Sequence, residues 1–452
     1  MLPATLSLYQ SPGMITTPNI ARYRNVGRRA GWGLADQAFS SLSNFALGVF
    51  VARSVSLREF GIFGLAFATY SLAMGLARAC AGEPFGVRYS ACSEDEWREG
   101  ARGSMGAALI IGAFIGTVCT IVGLFFDGST RGVLVALGVA MPFLIAQDGW
   151  RYIFFASGQG KQALLNDLVW TLIMVPAFAI VIWTSTDSAT SFVVAWSSAA
   201  TCAALFGCWQ ARLLPLPSRV LAWWRNQRDL IPGFLGDFGI RTGTQRASGF
   251  LVAVFAGLAA TGALRGADML LGPVTVLFMG VNAIAVPETA RIIKRNVSRL
   301  PLSMVLLSAG LSTSAILVGL MLLMVPDSAG EALLKDTWQP AREVLPFLAL
   351  ALAVSVANTG AMIGMRALGD SVRMFRTRLV AAPLVALGVI AGAAIGGAVG
   401  AALGNAIATS FTNLVWWHQF KRAVAAYGQR VANGNLDPKE RASKVGRPSE
   451  SK

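Results

Sequence analysis

The chain has 452 residues, of which 54% are hydrophobic, only 13% are charged and 48 are glycine; its mass is 47.6 kDa and its mean hydropathy +0.57. A soluble domain carries roughly 25% charged residues, so an ordinary globular fold is excluded and the length divides into membrane spans rather than soluble domains. The formal charge of +15 would suggest nucleic acid in a soluble protein, but in a membrane chain basic residues collect in cytoplasmic loops, so no nucleic-acid partner is expected.

Residues 1–30 show no charged region followed by an apolar core and a small-residue cleavage site, so they read as a cytoplasmic segment rather than a secretory signal. Apolar runs of about 20 residues, enough to cross a ~30 Å hydrocarbon layer, then follow at 31–52, 60–81, 104–126, 132–155, 164–184 and 189–210. A polar stretch, 211–230, separates these six from a second six at 231–257, 266–290, 301–325, 344–365, 378–398 and 401–420. The expected architecture is all-α: a polytopic integral membrane protein of about twelve helices in two six-helix lobes, 31–210 and 231–421. The tail 422–452 is polar and basic, and is expected to be disordered and to favour anionic lipid headgroups.

Twelve spans put both ends on one side, and the charges say which. Arg88, Arg98, Arg102, Lys161, Arg212, Arg225, Arg291, Arg299, Arg366 and Arg376 all fall in alternate loops, as do both basic ends, whereas the opposite loops hold only Arg53, Arg58, Arg131, Arg265, Lys335 and Arg342. The positive-inside rule makes the first side cytoplasmic and the protein a multi-pass component of the inner, cytoplasmic membrane.

Sliding the chain until Asp36 falls on Asp237 also brings Ser43 onto Thr244, Asn44 onto Gln245, Gly48 onto Gly249, Leu57 onto Leu258 and Gly61 onto Gly262. A similar shift sets Pro142-Phe143-Leu144 on Pro346-Phe347-Leu348. Halves of six spans have the same orientation, so the repeat implies an axis along the membrane normal. Asp36, Ser40 and Ser43 share one helical stripe with Asn44 beside them, and Asp237, Arg241, Thr244 share another with Gln245 beside them. Polar groups facing lipid are costly, so both stripes are expected to face inward, the first and seventh spans lining a gap between the lobes; helix–helix glue is the plainer use of the small polar residues.

Four arginines and no lysine fall inside the spans, with Arg378, the first residue of the eleventh, counted with the cytoplasmic loop before it. Arg241 stands one turn after Asp237, and Arg151 one turn after Asp148, so each has a same-helix ion pair as its plain explanation. Arg78 lies where the second span meets the cytoplasm, and Arg246 has no acid within a turn. Arg241 and Arg246, then Arg78 and Arg151, are the candidate anion site of a central cavity. The linker segment RVLAWWRNQRDLI, 219–231, joins paired tryptophans to basic residues and is expected to lie in the membrane interface. Cys80, Cys92, Cys119, Cys202 and Cys208 are odd in number and lack CxxC spacing, so they read as small core residues with no metal or disulfide. His418 beside Trp416 and Trp417 fits an aromatic belt, and GQGK at 158–161 lacks P-loop spacing, so no cofactor is implied.

The first two spans, GWGLADQAFSSLSNFALGVFVARSVSLREFGIFGLAFATYSLAMGLARACAGEPFGVRYS, resemble the polysaccharide biosynthesis proteins and O-antigen flippases of the multidrug/oligosaccharidyl-lipid/polysaccharide (MOP) exporter superfamily. The resemblance rests on a polar first helix, the turn Arg58-Glu59-Phe60-Gly61, Gly82-Glu83-Pro84 and the run ASGQGKQALLNDLVW at 156–170; in the second half Ala260-Thr261-Gly262 replaces Glu59-Phe60-Gly61. It implies two lobes alternating the opening of a central cavity, with no enzymatic activity, and a polyprenyl-pyrophosphate-linked oligosaccharide as substrate. It further implies a polysaccharide polymerase or glycosyltransferases as pathway partners. An ion-coupled multidrug antiporter of the same superfamily, and a non-transporting scaffold of an export complex, are the alternatives.

Overall fold

The structure, a computed structural model, describes residue 39 and residues 41–90, 92–184 and 188–433. Among these the regular structure is entirely helical. In the first half α1 covers 41–54, and α2 Leu57–Arg88, α3 Glu94–Gly123, α4 Gly128–Ala156, α5 Gly160–Trp183 and α6 Ala189–Ala211 follow. In the second half come α7 at 231–256, α8 at 258–295, α9 Leu300–Leu323, α10 at 338–367 with a break at Asn358, α11 at 371–395 and α12 at 398–432. Nine stretches among the described residues are long and apolar enough to cross a membrane. Dividing two of them at their glycine breaks and adding α1 accounts for the twelve helices of a polytopic, multi-pass membrane fold.

Local chemistry sets the ends. Ser56 caps α2 by accepting from the Glu59 amide at 3.3 Å. Ser93 and Glu96 form a reciprocal capping box at the start of α3. The α6 helix stops at Arg212, whose φ of 51° takes the chain out of the helix. Two reversals need no loop at all. Gly257 has φ +85° and Gly397 φ +61°, conformations open to a residue without a Cβ, so α7 turns directly into α8 and α11 into α12. The interval 258–265, read from the sequence as an outer loop carrying Arg265, is therefore the first two turns of α8. At the other end of the chain α12 continues to Ala432, past the expected start of the tail at 422; the remainder of that tail, like residues 1–38, lies outside the described residues.

In the first lobe α4 is the hub, packed on α3, α6 and α2; Trp150, Trp196, Phe63 and Phe154 fill the centre at no more than 1% exposure. In the second lobe α10 packs on α9, α8 and the α11–α12 pair. The linker is fastened to the first lobe. Its short helix, Val220–Asn226, buries Trp223, whose Nε1 donates to Cys80 O at 3.0 Å. Arg88 grips Asp229 with both oxygens at 2.7 Å, and Arg219 pairs with Glu99 at 2.6 Å. Only Trp224 of the tryptophan pair is exposed. The segment expected to lie in the membrane interface is also docked into protein through one tryptophan, because an indole N–H is better satisfied by a buried carbonyl than by apolar surroundings.

Candidate functional site

The residues Arg78 to Gly82 form a π-helical turn inside α2. Such a turn inserts an extra residue and re-aims the side chains around it. Here Arg78 reaches α4, where Nε donates to Asp148 Oδ2 at 2.8 Å and Nη2 to Oδ1 at 2.5 Å. Arg151, one turn further along α4, turns instead to α5 and meets Asp167 Oδ2 at 3.1 Å. The same-helix pair of Asp148 with Arg151 suggested by their spacing is replaced by two cross-helix pairs. A carboxylate on a facing helix can offer both oxygens to the guanidinium edge, and Arg78 takes Asp148 in that way.

A polar network surrounds these pairs. Gln147 Nε2 donates to Asp167 Oδ1 at 3.0 Å and to Asn166 Oδ1 at 3.2 Å. Asn166 Nδ2 donates onward to Ala203 O at 2.9 Å and Gln210 Oε1 at 3.1 Å, joining α6. Asp148 and Asp167 are each 4% exposed. The two guanidinium groups also lie beside rings, Arg78 5.9 Å from the Tyr152 centroid and Arg151 5.7 Å from that of Phe155. A buried acid with an arginine and further donors is stable only as a set; removing one member strands the other's charge, at a cost of about 3–5 kcal/mol. Sequence reasoning missed Gln147, Asn166, Asp167 and Gln210. The signal available was Asn166-Asp167, two adjacent polar residues inside the expected fifth span.

The other candidates are distributed differently. Ser43 Oγ lies 3.3 Å from Thr171 Oγ1, so this part of α1 faces α5; Asn44 is half-buried beside it. Asp36 and Ser40 lie outside the described residues. Asp237 accepts from Arg378 Nη1 of α11 at 3.0 Å, with its side chain 52% exposed, so it is held by a second helix as well as by its place on α7. Arg241 sits on another π-helical turn, Gly239–Gly243. The side chains of Arg241, Thr244, Gln245 and Arg246 lie outside what is described.

The lobes meet along α2. Near the basic, charge-rich face Phe238 of α7 lies against Gly75. At the far face α8 crosses α2 backbone to backbone, Gly61 against Leu258 O and Gly262 against Leu57 O. Arg265, one turn on, packs its stem on Gly64 and its guanidinium 4.3 Å from the Phe67 centroid. Glu59 ties the same end of α2 to the first lobe, its Oε2 accepting from the Ala189 amide at the start of α6 at 2.9 Å.

No family model and no curated protein matches the sequence. Solved structures do share the fold. A multidrug resistance MATE family transporter of the MOP superfamily in its inward-facing conformation superposes with a TM-score of 0.67 at 14% identity, over 86% of this chain and 95% of that one. The lipid II flippase MurJ, in an inward closed conformation, gives 0.59 at 12% identity over 86% and 87%. An outward-facing conformation of a MATE family transporter gives 0.51 at 14% identity over 90% and 96%. The chain therefore has the fold of MOP-superfamily transporters and flippases.

Proposed function

We propose that the protein is a MOP-type transporter of the cytoplasmic membrane that moves a polyprenyl-pyrophosphate-linked oligosaccharide outward by alternating access, for surface polysaccharide synthesis. The observation that carries this reading is that, among the described residues, both buried acids of the first lobe are matched by arginines, Asp148 by Arg78 and Asp167 by Arg151. A cationic substrate or coupling ion needs an acid whose charge is not already balanced, since desolvating a cation without such a partner is costly. A pyrophosphate needs the reverse, and Arg241 and Arg246 supply planar donors suited to it. The contact of α2 with α8 at the far face and the higher score with an inward-facing than with an outward-facing structure support a cavity loaded from the basic face.

The second reading, an ion-coupled multidrug antiporter, is favoured by the higher similarity to a MATE transporter than to the lipid II flippase. Reconstitution separates the two. Proteoliposomes are loaded either with a fluorescent polyprenyl-pyrophosphate glycan, scored by accessibility to an external quencher, or with ethidium under an imposed Na⁺ or H⁺ gradient. Glycan-lipid movement without ethidium transport is the expected result. Gradient-driven ethidium movement with an immobile glycan lipid would establish the antiporter instead.

A further inference from the structure

The α11–α12 hairpin is shaped like a V. Next to its turn the two backbones touch, Gly392 on Gly400 and Gly388 on Gly404. Toward the basic face the helices part and leave a cavity of about 870 Å³ between them, near the upper end of the roughly 300–1,000 Å³ usual for small-molecule sites. The helices are held apart because α12 is committed elsewhere: Phe420 packs on Gly364 and Trp417 Nε1 donates to Ala357 O at 3.1 Å, both on α10. Hydrophobic partners thus fill one side of α12, where Met374 of α11 joins the same buried cluster, and the cleft lies on another side, lined by Val415, Gln419, Arg422 and Arg430.

The lining is graded with depth. Arg373 and Arg376 of α11, with Arg422 and Arg430 of α12, surround the mouth. Among the described residues Asp370 is the one acid there, and it is engaged by Arg373 Nε at 2.8 Å. Gln419 spans the gap to Arg373 Nη1 at 3.5 Å. Roughly 10 Å farther toward the membrane middle, by helical rise, the walls become Val380 and Val415. Arg376, Arg422 and Arg430 are exposed and make no ion pair among the described residues. A basic mouth over an apolar floor matches an amphiphile lying upright, with a phosphate at the arginine forks and chains along the valines. A fully soluble anion would leave the apolar floor unused.

We infer that the α11–α12 cleft is a binding site for an anionic phospholipid of the cytoplasmic leaflet, its phosphate held by Arg376, Arg422 and Arg430 and its acyl chains descending between the helices. The cleft lies within the second lobe, away from the lobe contact along α2, and would take this lipid whichever substrate the protein transports.

Native mass spectrometry of the detergent-solubilised full chain tests this, with phosphatidylglycerol and phosphatidylcholine of identical chains as probes. The Arg376→Gln/Arg422→Gln/Arg430→Gln variant is compared with wild type and with Arg102→Gln/Arg225→Gln/Arg228→Gln, which removes the same charge from the basic face of the first lobe and linker. Wild type and the control variant are expected to retain phosphatidylglycerol in preference to phosphatidylcholine. The cleft variant should lose about five-fold in affinity per arginine, on the order of one hundred-fold in all. Should the triple variant fail to fold, Arg422→Gln alone is to show the five-fold step. Equal retention by cleft variant and wild type, or an equal loss in the control, would overturn the inference. Displacement of the lipid by inorganic pyrophosphate at equal concentration would also overturn it, in favour of a soluble phosphate ligand.

Discussion

Gly61 and Gly262 lie against each other where α2 crosses α8, the amide of each within 3.2 Å of the position a Cβ on the other would take. They are the same position of the two sequence halves, and their neighbours Leu57 and Leu258 are related in the same way, each lending its carbonyl to the opposite glycine. Reciprocal contacts of this kind are what a two-fold axis between the lobes requires. They also account for Gly being kept in both Arg58-Glu59-Phe60-Gly61 and Ala260-Thr261-Gly262 while the preceding residues diverge. Glu59 and Phe60 have tasks off the axis: one caps α6 and the other is fully buried.

Replacing Gly61 by Leu places side-chain carbon where the Leu258 carbonyl stands, and backbone cannot yield as a flexible side chain would. The far-face contact should open, at a cost of about 1–3 kcal/mol or more. In a background lacking the native cysteines, a Leu57→Cys reporter should become reactive to a membrane-impermeant maleimide in the Gly61→Leu protein and stay protected in its parent. Unchanged protection would mean that the crossing does not close the far face.

For the pair Arg78 and Asp148, Asp148→Asn leaves a one-third-exposed guanidinium without its partner and should lower stability by about 1–3 kcal/mol, whereas Arg78→Gln/Asp148→Asn should recover most of the loss. Thermal unfolding in detergent measures both. If the double variant is stable yet fails to export glycan, Arg78 contributes to transport beyond its pairing; full export would confine it to structure.

Because Asp237 is held by Arg378 of α11 and is half exposed, Arg378→Gln should cost only about 0–1 kcal/mol. Arg378 thus supplies Asp237 with a cation from a second helix. Glycan export should fall in the order Arg, Lys, Gln at positions 241 and 246, with membrane abundance unchanged. Normal export by the Arg241→Gln/Arg246→Gln protein at normal abundance would remove the proposed pyrophosphate site.

The two linker tryptophans should behave oppositely. Trp223→Ala opens a cavity against Gly103 and loses the bond to Cys80 O, an expected cost of about 3–5 kcal/mol. Trp224→Ala at the surface should stay within about 0.5 kcal/mol. Melting midpoints of the two purified variants decide this, and equal shifts would mean that the linker helix is not docked through Trp223.

The sequence by itself determined the class, the approximate spans, the charge-rich face and the register of the repeat. A hydrocarbon layer of fixed thickness dictates run lengths, and alternating charge needs no knowledge of packing. Helix contacts were not legible in the same way. Arg78 and Asp148 are 70 positions apart in sequence, and Arg151 passes over its neighbour Asp148 for Asp167, choices made by which helices face each other and by the turn that re-aims α2. Arg265 resembled a loop residue because one glycine, Gly257, supplies a reversal for which the sequence reading allotted a whole loop. Only the tertiary structure decided that Trp223 is buried while Trp224 is not, and that α11 and α12 part into a basic cleft. Burial and ion pairing depend on surfaces brought together from distant parts of the chain, whereas hydropathy and charge are carried by each residue where it stands.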